Sequence, residues 1–273
     1  MRQWTVDAFA PTLFGGNPAC VVEPLARWPA ETLMQSIAQE NNVGATAFLV
    51  AAPDGGSFGL RWFTPSVEVP LCGHATLAAA HVLLAEMRSE ASSAKFETRS
   101  GPLSVVQVAE GYELSLPMQH VRRIPTPPEL SRALGAEPLE VWAGPYLVAL
   151  LGSADEVRTL RPDLEALHQI SLSLGGQGNV GVAAVEAPGS PHQVVDRFFA
   201  PGYGIPEDPA TGSFHGILTP IMASRFTTSS IRFAQAYPGR GAEFVGRSEG
   251  DRVILGGRAR TYSESRLRVL VEN

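Results

Sequence analysis

The sequence predicts an α/β (α+β) fold made of two similar halves, on three observations. Strand-like runs alternate with helix-like runs along the chain. One pattern occurs twice: "RWFTPSVEVPLCGHATLAAAHVLL" from Arg61 and "RFFAPGYGIPEDPATGSFHGILTPIM" from Arg197 both read Arg, aromatic, Phe, any residue, Pro, then a loop and a glycine opening a helix. Prolines cluster between the copies at "TPPEL", Thr126 to Leu130, which divides the chain into halves 1–125 and 126–273. A return of the chain's end to the first half stays open.

The elements follow in order. "QWTVDAF" alternates like a strand, and "FGGNPACVV" turns on its glycines into a second. In "WPAETLMQSIAQENN", Leu33, Met34, Ile37 and Ala38 share one helical face, with Pro29 at the start and Asn41 and Asn42 at the stop. "TAFLVA", "FGLRWFT", "KFETRS", "LSVVQV" and "YELSLP" read as strands punctuated by glycine and proline. "LCGHATLAAAHVLLAE" opens the first apolar helix, with His81 expected against the core. Pro220 is expected to kink the second apolar helix or end it early, leaving it shorter than the first. "LSLGGQGNVGV" reads as a strand connection, and "RVILGGRARTYSESRLRV" as closing strands.

Composition excludes several classes. A net charge of −6, with no basic run, offers nucleic acid no landing surface. No window approaches the roughly 18 apolar residues of a membrane span, and "MRQWTVDAFAP" lacks an apolar signal core. A cytoplasmic protein with a small-molecule partner is expected. Two cysteines, Cys20 and Cys72, build no disulfide framework. The histidines show no ligand spacing, and no dinucleotide or phosphate-loop motif occurs, so neither metal nor cofactor is expected.

Chemistry concentrates where the repeat delivers glycine to a helix start. Free N–H groups and the positive helix end there suit an anion such as a carboxylate. Gly73 and Gly212 allow close approach, and Ser213 adds a hydroxyl. His74 and Asp208, placed at these starts, read as an acid/base pair. Cys72 reads first as a small hydrophobe, although a thiol at a helix start can also be activated.

These residues resemble the phenazine-biosynthesis PhzF family, whose fold is that of diaminopimelate epimerase. "DAF" with "FGGNPA", "QENN" with "TAF", "WFTP" with "LCGHAT", and "RFFAP" with "EDPATGS" carry the resemblance nearly end to end. It implies two pseudo-symmetric domains, each a curved mixed sheet around a central helix, an active site in the cleft between them, and a homodimer. It also implies cofactor-free movement of a proton and double bond in a small unsaturated cyclic amino acid. By position, His74 and Asp208 belong to the proton-handling site, while Gly73, Gly212 and Ser213 touch the substrate, with Cys72, Thr211 and Ala45 around them. The family's main acid/base is a glutamate in a "SET" tripeptide. Here the place reads "GAT", so Ala45 stands where the carboxylate is expected, and Glu40 lies most of a helix turn too early to replace it.

The resemblance therefore implies an isomerase that has moved its proton chemistry to Asp208 and His74. A pyrroline-carboxylate intermediate of the 4-alkylproline units in antibiotics is the expected type of substrate. Two alternatives stand beside it: a non-catalytic binding protein, and an epimerase or dehydratase built on Cys72. Related epimerases use two cysteines, and Thr211 occupies the place of the second.

Overall fold

The computed structural model of the chain describes residues 1–53, 55–87 and 90–269. The chain divides into two compact units, Met1–Leu116 with Ile254–Asn273, and Pro117–Val253. The proline cluster at Thr126 to Leu130, expected as the boundary, instead lies inside the second unit, in the loop leading to a short helix.

In the first unit, β1 (Arg2–Ala8) pairs antiparallel with β2 (Asn17–Val22). Helix α1 (Glu31–Asn41) crosses over to β3 (Ala45–Ala51), which lies parallel to β2. β4 (Phe58–Phe63) runs antiparallel to β3 and folds back on the two-residue β5 (Glu68–Val69). Next comes α2 (Gly73–His81), continued by a π-helical turn over Val82–Glu86. β6 (Ser93–Thr98) returns parallel to β4, and β7 (Gly101–Val108) and β8 (Gly111–Pro117) follow as antiparallel neighbours.

The second unit begins with β9 (Arg122–Ile124), α3 (Leu130–Leu134) and β10 (Glu140–Ala143). β11 (Leu147–Leu150) leads through α4 (Ala154–Thr159) and α5 (Leu164–Ser173) to a parallel β12 (Val180–Val185). β13 (Val194–Phe199) folds back on β14 (Glu207–Asp208), α6 (Gly212–Ala223) follows, and β15 (Ile231–Gln235) returns parallel to β13. β16 (Ala242–Glu249) pairs with β15, and β17 (Arg252–Gly257) carries the chain back to the first unit. There β18 (Ala259–Arg266) pairs with β1. The order of parallel step, antiparallel strand, short hairpin, apolar helix and parallel return is thus the same in both units.

The residues explain the layers. Met34, Ile37 and Ala38 of α1 pack on Phe48 and Phe63, whose rings meet edge to face at 5.6 Å. Asn42 stops α1 in the left-handed conformation at φ 47°, which asparagine tolerates. Eight residues of α2, Gly73 to Ala80, are buried on all sides, as a central helix requires. In the second unit α6 fills that role, and Phe214 lies so close to β12 that a Cβ on Gly181 would sit 2.1 Å from its ring. α3, α4 and α5 cover the outer face through Leu130, Leu134, Val157 and Leu167. Ser153 and Glu156 form a reciprocal cap on α4.

One expectation is corrected here. Pro220 neither ends nor markedly shortens its helix: α6 runs three residues beyond it to Ala223, because Pro220 sits in the last turns, where only one backbone bond is lost. His81 lies against the core as expected, its side chain 12% exposed. Its Nδ1 lies 2.8 Å from the Tyr112 hydroxyl and its Nε2 3.0 Å from Thr261 Oγ1, so its ring is held by polar partners at the edge of the core.

Candidate active site

The repeated hairpins hold the two helix starts. In the first unit Arg61 grips Glu68 through Nε and Nη2 at 2.7 and 2.6 Å, tying β4 to β5. In the second, Arg197 grips Glu207 in the same two-pronged way at 2.7 and 2.8 Å, tying β13 to β14. The repeated arginine is therefore a structural clamp behind each candidate half-site. Each guanidinium also lies over the repeated phenylalanine, Phe63 at 5.2 Å and Phe199 at 4.8 Å.

Strand register then decides what each clamp presents. Phe63 faces Glu68 and Trp62 faces Val69; Phe199 faces Glu207 and Phe198 faces Asp208. The counterpart of Asp208 in the first unit is thus Val69, and the counterpart of His74, second residue of α2, is Ser213, second residue of α6. His74 and Asp208 do not occupy equivalent positions of the repeat.

In the first unit the structure gathers Cys72, Gly73 and His74 with the Gly44–Ala45 step. Cys72 is the N-cap of α2 and its side chain makes no capping bond, so the first-turn N–H groups are not closed from that side. Its sulfur lies 3.5 Å from His74 Nδ1. The same nitrogen is 3.2 Å from Asn17 Nδ2, so with the amide in this orientation Nδ1 accepts and the ring proton is assigned to Nε2. A Cβ on Gly44 would stand 2.4 Å from Asn17 Oδ1 and 3.2 Å from His74 Nε2. Glycine at 44 therefore belongs to this placement of Asn17 and His74. Ala45, fully buried, opens β3 beside it.

Burial pushes the His74 imidazole down to about 3, so the ring is neutral at physiological pH and works as a hydrogen-bonding group rather than as a cation. A stability effect follows. Below its ordinary value of 6.5 the unfolded histidine binds a proton that the folded one refuses. The contribution is therefore complete above pH 6.5 and declines in acid. Urea unfolding at pH 7 and pH 5 is expected to show a loss of about 2 kcal/mol in the wild type that His74→Gln removes. Equal losses in both proteins would contradict the assignment.

The second unit gathers Asp208, Thr211, Gly212 and Ser213. Thr211 Oγ1 donates to Asp208 Oδ2 at 2.6 Å. Thr211 is the N-cap of α6 and, like Cys72, makes no side-chain capping bond. Ser213 Oγ lies 3.0 Å from the Tyr146 hydroxyl, which lies 2.7 Å from that of Tyr203, and Tyr203 donates to Gln177 Oε1 at 3.4 Å. A proton order from Ser213 through Tyr146 and Tyr203 to Gln177 satisfies each hydroxyl and turns lone pairs of Ser213 to a ligand. Behind Thr211, His215 Nδ1 donates to the Thr211 carbonyl at 2.9 Å, and its Nε2 stands 3.2 Å from Asp196 Oδ2. Desolvation pushes the Asp196 carboxyl up, and His215 pulls against it. Among the described residues no cluster of three or more His, Cys, Asp or Glu is placed to hold a metal.

Asn17, Tyr146, Tyr203 and Gln235 belong to these surroundings and escape the sequence reading. Gln235 carried a usable signal: in "IRFAQ" it falls on the buried side of an alternating strand, in register with Ile231 and Phe233. A polar residue on an apolar face needs a partner. Tyr146 and Tyr203 carried none, since aromatic residues in loops and strand ends are ordinary.

Comparison with known proteins agrees with the resemblance. The family described as phenazine biosynthesis-like protein (PhzC-PhzF) matches residues 6–263. An uncharacterized isomerase of Pseudomonas aeruginosa is 43% identical over 265 residues, 97% of each chain. The crystal structure of a PhzF-family phenazine biosynthesis protein from Enterococcus faecalis matches with a TM-score of 0.90 at 37% identity, covering 98% of this chain and 99% of that one. A Pseudomonas aeruginosa structure described as a predicted epimerase shares the fold, with a TM-score of 0.75 at 21% identity and coverage of 98% and 99%. The fold class is the α/β, epimerase-like one that the sequence predicts.

Proposed function

Because the chain belongs to the phenazine biosynthesis-like (PhzC-PhzF) family, we propose that it is a cofactor-independent isomerase moving a proton and a double bond within a small unsaturated cyclic amino acid. The observation that carries this is Asp208, a buried carboxylate whose Oδ2 accepts the Thr211 hydroxyl at 2.6 Å beside an uncapped helix start. Asp208 takes the proton from one carbon and returns it to another, ending as the carboxylate it began as. The N–H groups at the helix starts bind the substrate carboxylate, Ser213 Oγ accepts a hydrogen bond from an N–H of the substrate, and the Nε2–H of His74 supports the charge that develops. Gly73 and Gly212 admit the ligand to the backbone, with Cys72, Thr211 and Ala45 as neighbours.

A pyrroline-carboxylate on the way to 4-alkylproline antibiotic units suits this site. Such a substrate is already a conjugated imine, so its carbon protons are acidic enough for Asp208 without a carboxylate at Ala45. A small residue at 45 also makes room for a substrate other than dihydro-hydroxyanthranilate. Cytoplasmic location and a homodimer complete the proposal, supported by the family resemblance; no helix among the described residues is long and apolar enough to cross a membrane.

Chromatography with mass detection tests the reaction. An isomer of unchanged mass is expected from a pyrroline-2-carboxylate; loss of water would indicate an elimination, and calorimetric binding without conversion a binding protein. One contact favours a second reading: Cys72 Sγ lies 3.5 Å from His74. A neutral His74 does little to ionise that thiol, and Thr211 supplies no second one. Cys72→Ser is therefore expected to retain turnover within a few-fold, and its inactivation would transfer the chemistry to the thiol.

A further inference from the structure

Gln235, at the end of β15, is 1% exposed and spends its whole amide on the loop that carries Asp208. Its Oε1 accepts the Thr211 N–H at 2.7 Å, and its Nε2 donates to the Asp208 carbonyl at 2.6 Å and to Thr211 Oγ1 at 3.1 Å. Turned over, the amide would set its NH2 against the Thr211 N–H and its oxygen against the Asp208 carbonyl, so the backbone admits one orientation. That orientation has a consequence for Thr211. Its hydroxyl oxygen already receives a proton from Gln235, so its own single proton goes to Asp208 Oδ2, at the short length of a charge-assisted bond.

The other polar groups of Thr211 are held as well. Its N–H is bound by Gln235 and its carbonyl by the His215 ring, which is backed by Asp196, both fully buried. A rigid threonine thus meets a carboxylate at the end of a two-residue strand. We propose that Gln235, acting through Thr211, is a positioning residue for the Asp208 carboxylate: it fixes the direction of the hydrogen bond that orients Asp208 and favours its ionised form. This rests on the reading of Asp208 as the proton-handling group. It adds to that reading the residue that sets the base.

The test reads Asp208 directly and needs no substrate. Aspartate labelled with carbon-13 at the side-chain carboxyl gives a titrating resonance for Asp208, identified by its disappearance in Asp208→Asn. The titratable groups joined to this loop through the bonds described are Glu207, bound to Arg197, and the Asp196–His215 pair behind Thr211, and the variants alter none of them. Thr211→Val is expected to raise the midpoint by about one pH unit or more, since an ionised carboxylate loses a donated hydrogen bond. Thr211→Ser keeps the hydroxyl and the wild-type midpoint. Gln235→Met, of similar length but without donors, gives a smaller shift in the same direction. Unchanged midpoints in Thr211→Val would overturn the inference, and a shift there without one in Gln235→Met would remove Gln235 from it. The catalytic reading fails on a different result, turnover that survives Asp208→Asn.

Discussion

Glu207→Ala is expected to destabilise the protein by about 3–5 kcal/mol, the cost of leaving one partner of a buried ion pair alone. The Arg197 side chain is 6% exposed and that of Glu207 11%, and the two share a two-pronged bond. Without the carboxylate, the guanidinium would keep neutral acceptors, the carbonyls of Leu160 at 3.0 Å, Val157 at 3.3 Å and Arg158 at 3.5 Å. Thermal unfolding should move down on the order of 10 °C. The repeat supplies an internal control. At the equivalent clamp, Arg61 also holds Glu31 at 2.8 Å and its side chain is 15% exposed, so Glu68→Ala should cost clearly less. Equal losses at the two positions would show that burial and partner number do not set the cost.

Asp208→Asn is the substitution with the largest expected effect on turnover, a fall of roughly two to four powers of ten with little change in unfolding temperature. Asparagine keeps the shape of the residue and can accept the Thr211 hydroxyl at the 2.6 Å contact, so the loop remains tethered to β15 through Gln235. Only the ability to receive and return a proton goes. Activity comparable to the wild type would assign the proton to another group, and a protein that unfolds early would show that the charge itself holds the loop.

Much of this was legible in the residues because its causes are local. The repeat from Arg61 and from Arg197 is a sequence feature, and it became the clamp, the short hairpin and the helix start in each unit. The stop of α1 at Asn42 and the apolar face of Met34, Ile37 and Ala38 follow from turn chemistry and period. What was not legible depends on register and burial. The pairing of Asp208 with Phe198, which makes Val69 its counterpart, is decided by strand register across a hairpin loop three residues longer in the second copy. The low proton affinity of His74 comes from complete enclosure by neighbours distant in sequence, Asn17 among them. Pro220 misled because its effect depends on its place in the helix rather than on its presence.

In the proposed reaction Asp208 moves a carbon-bound proton although Ala45 carries no carboxylate. The direct measurement is incubation in deuterated water with a pyrroline-2-carboxylate and, separately, dihydro-hydroxyanthranilate, followed by NMR for deuterium bound to carbon, with Asp208→Asn alongside. Deuterium entering the pyrroline compound in the wild type and absent from the variant is the predicted result. Equal incorporation in wild type and variant, or none in the pyrroline compound under conditions where calorimetry shows it bound, would contradict it.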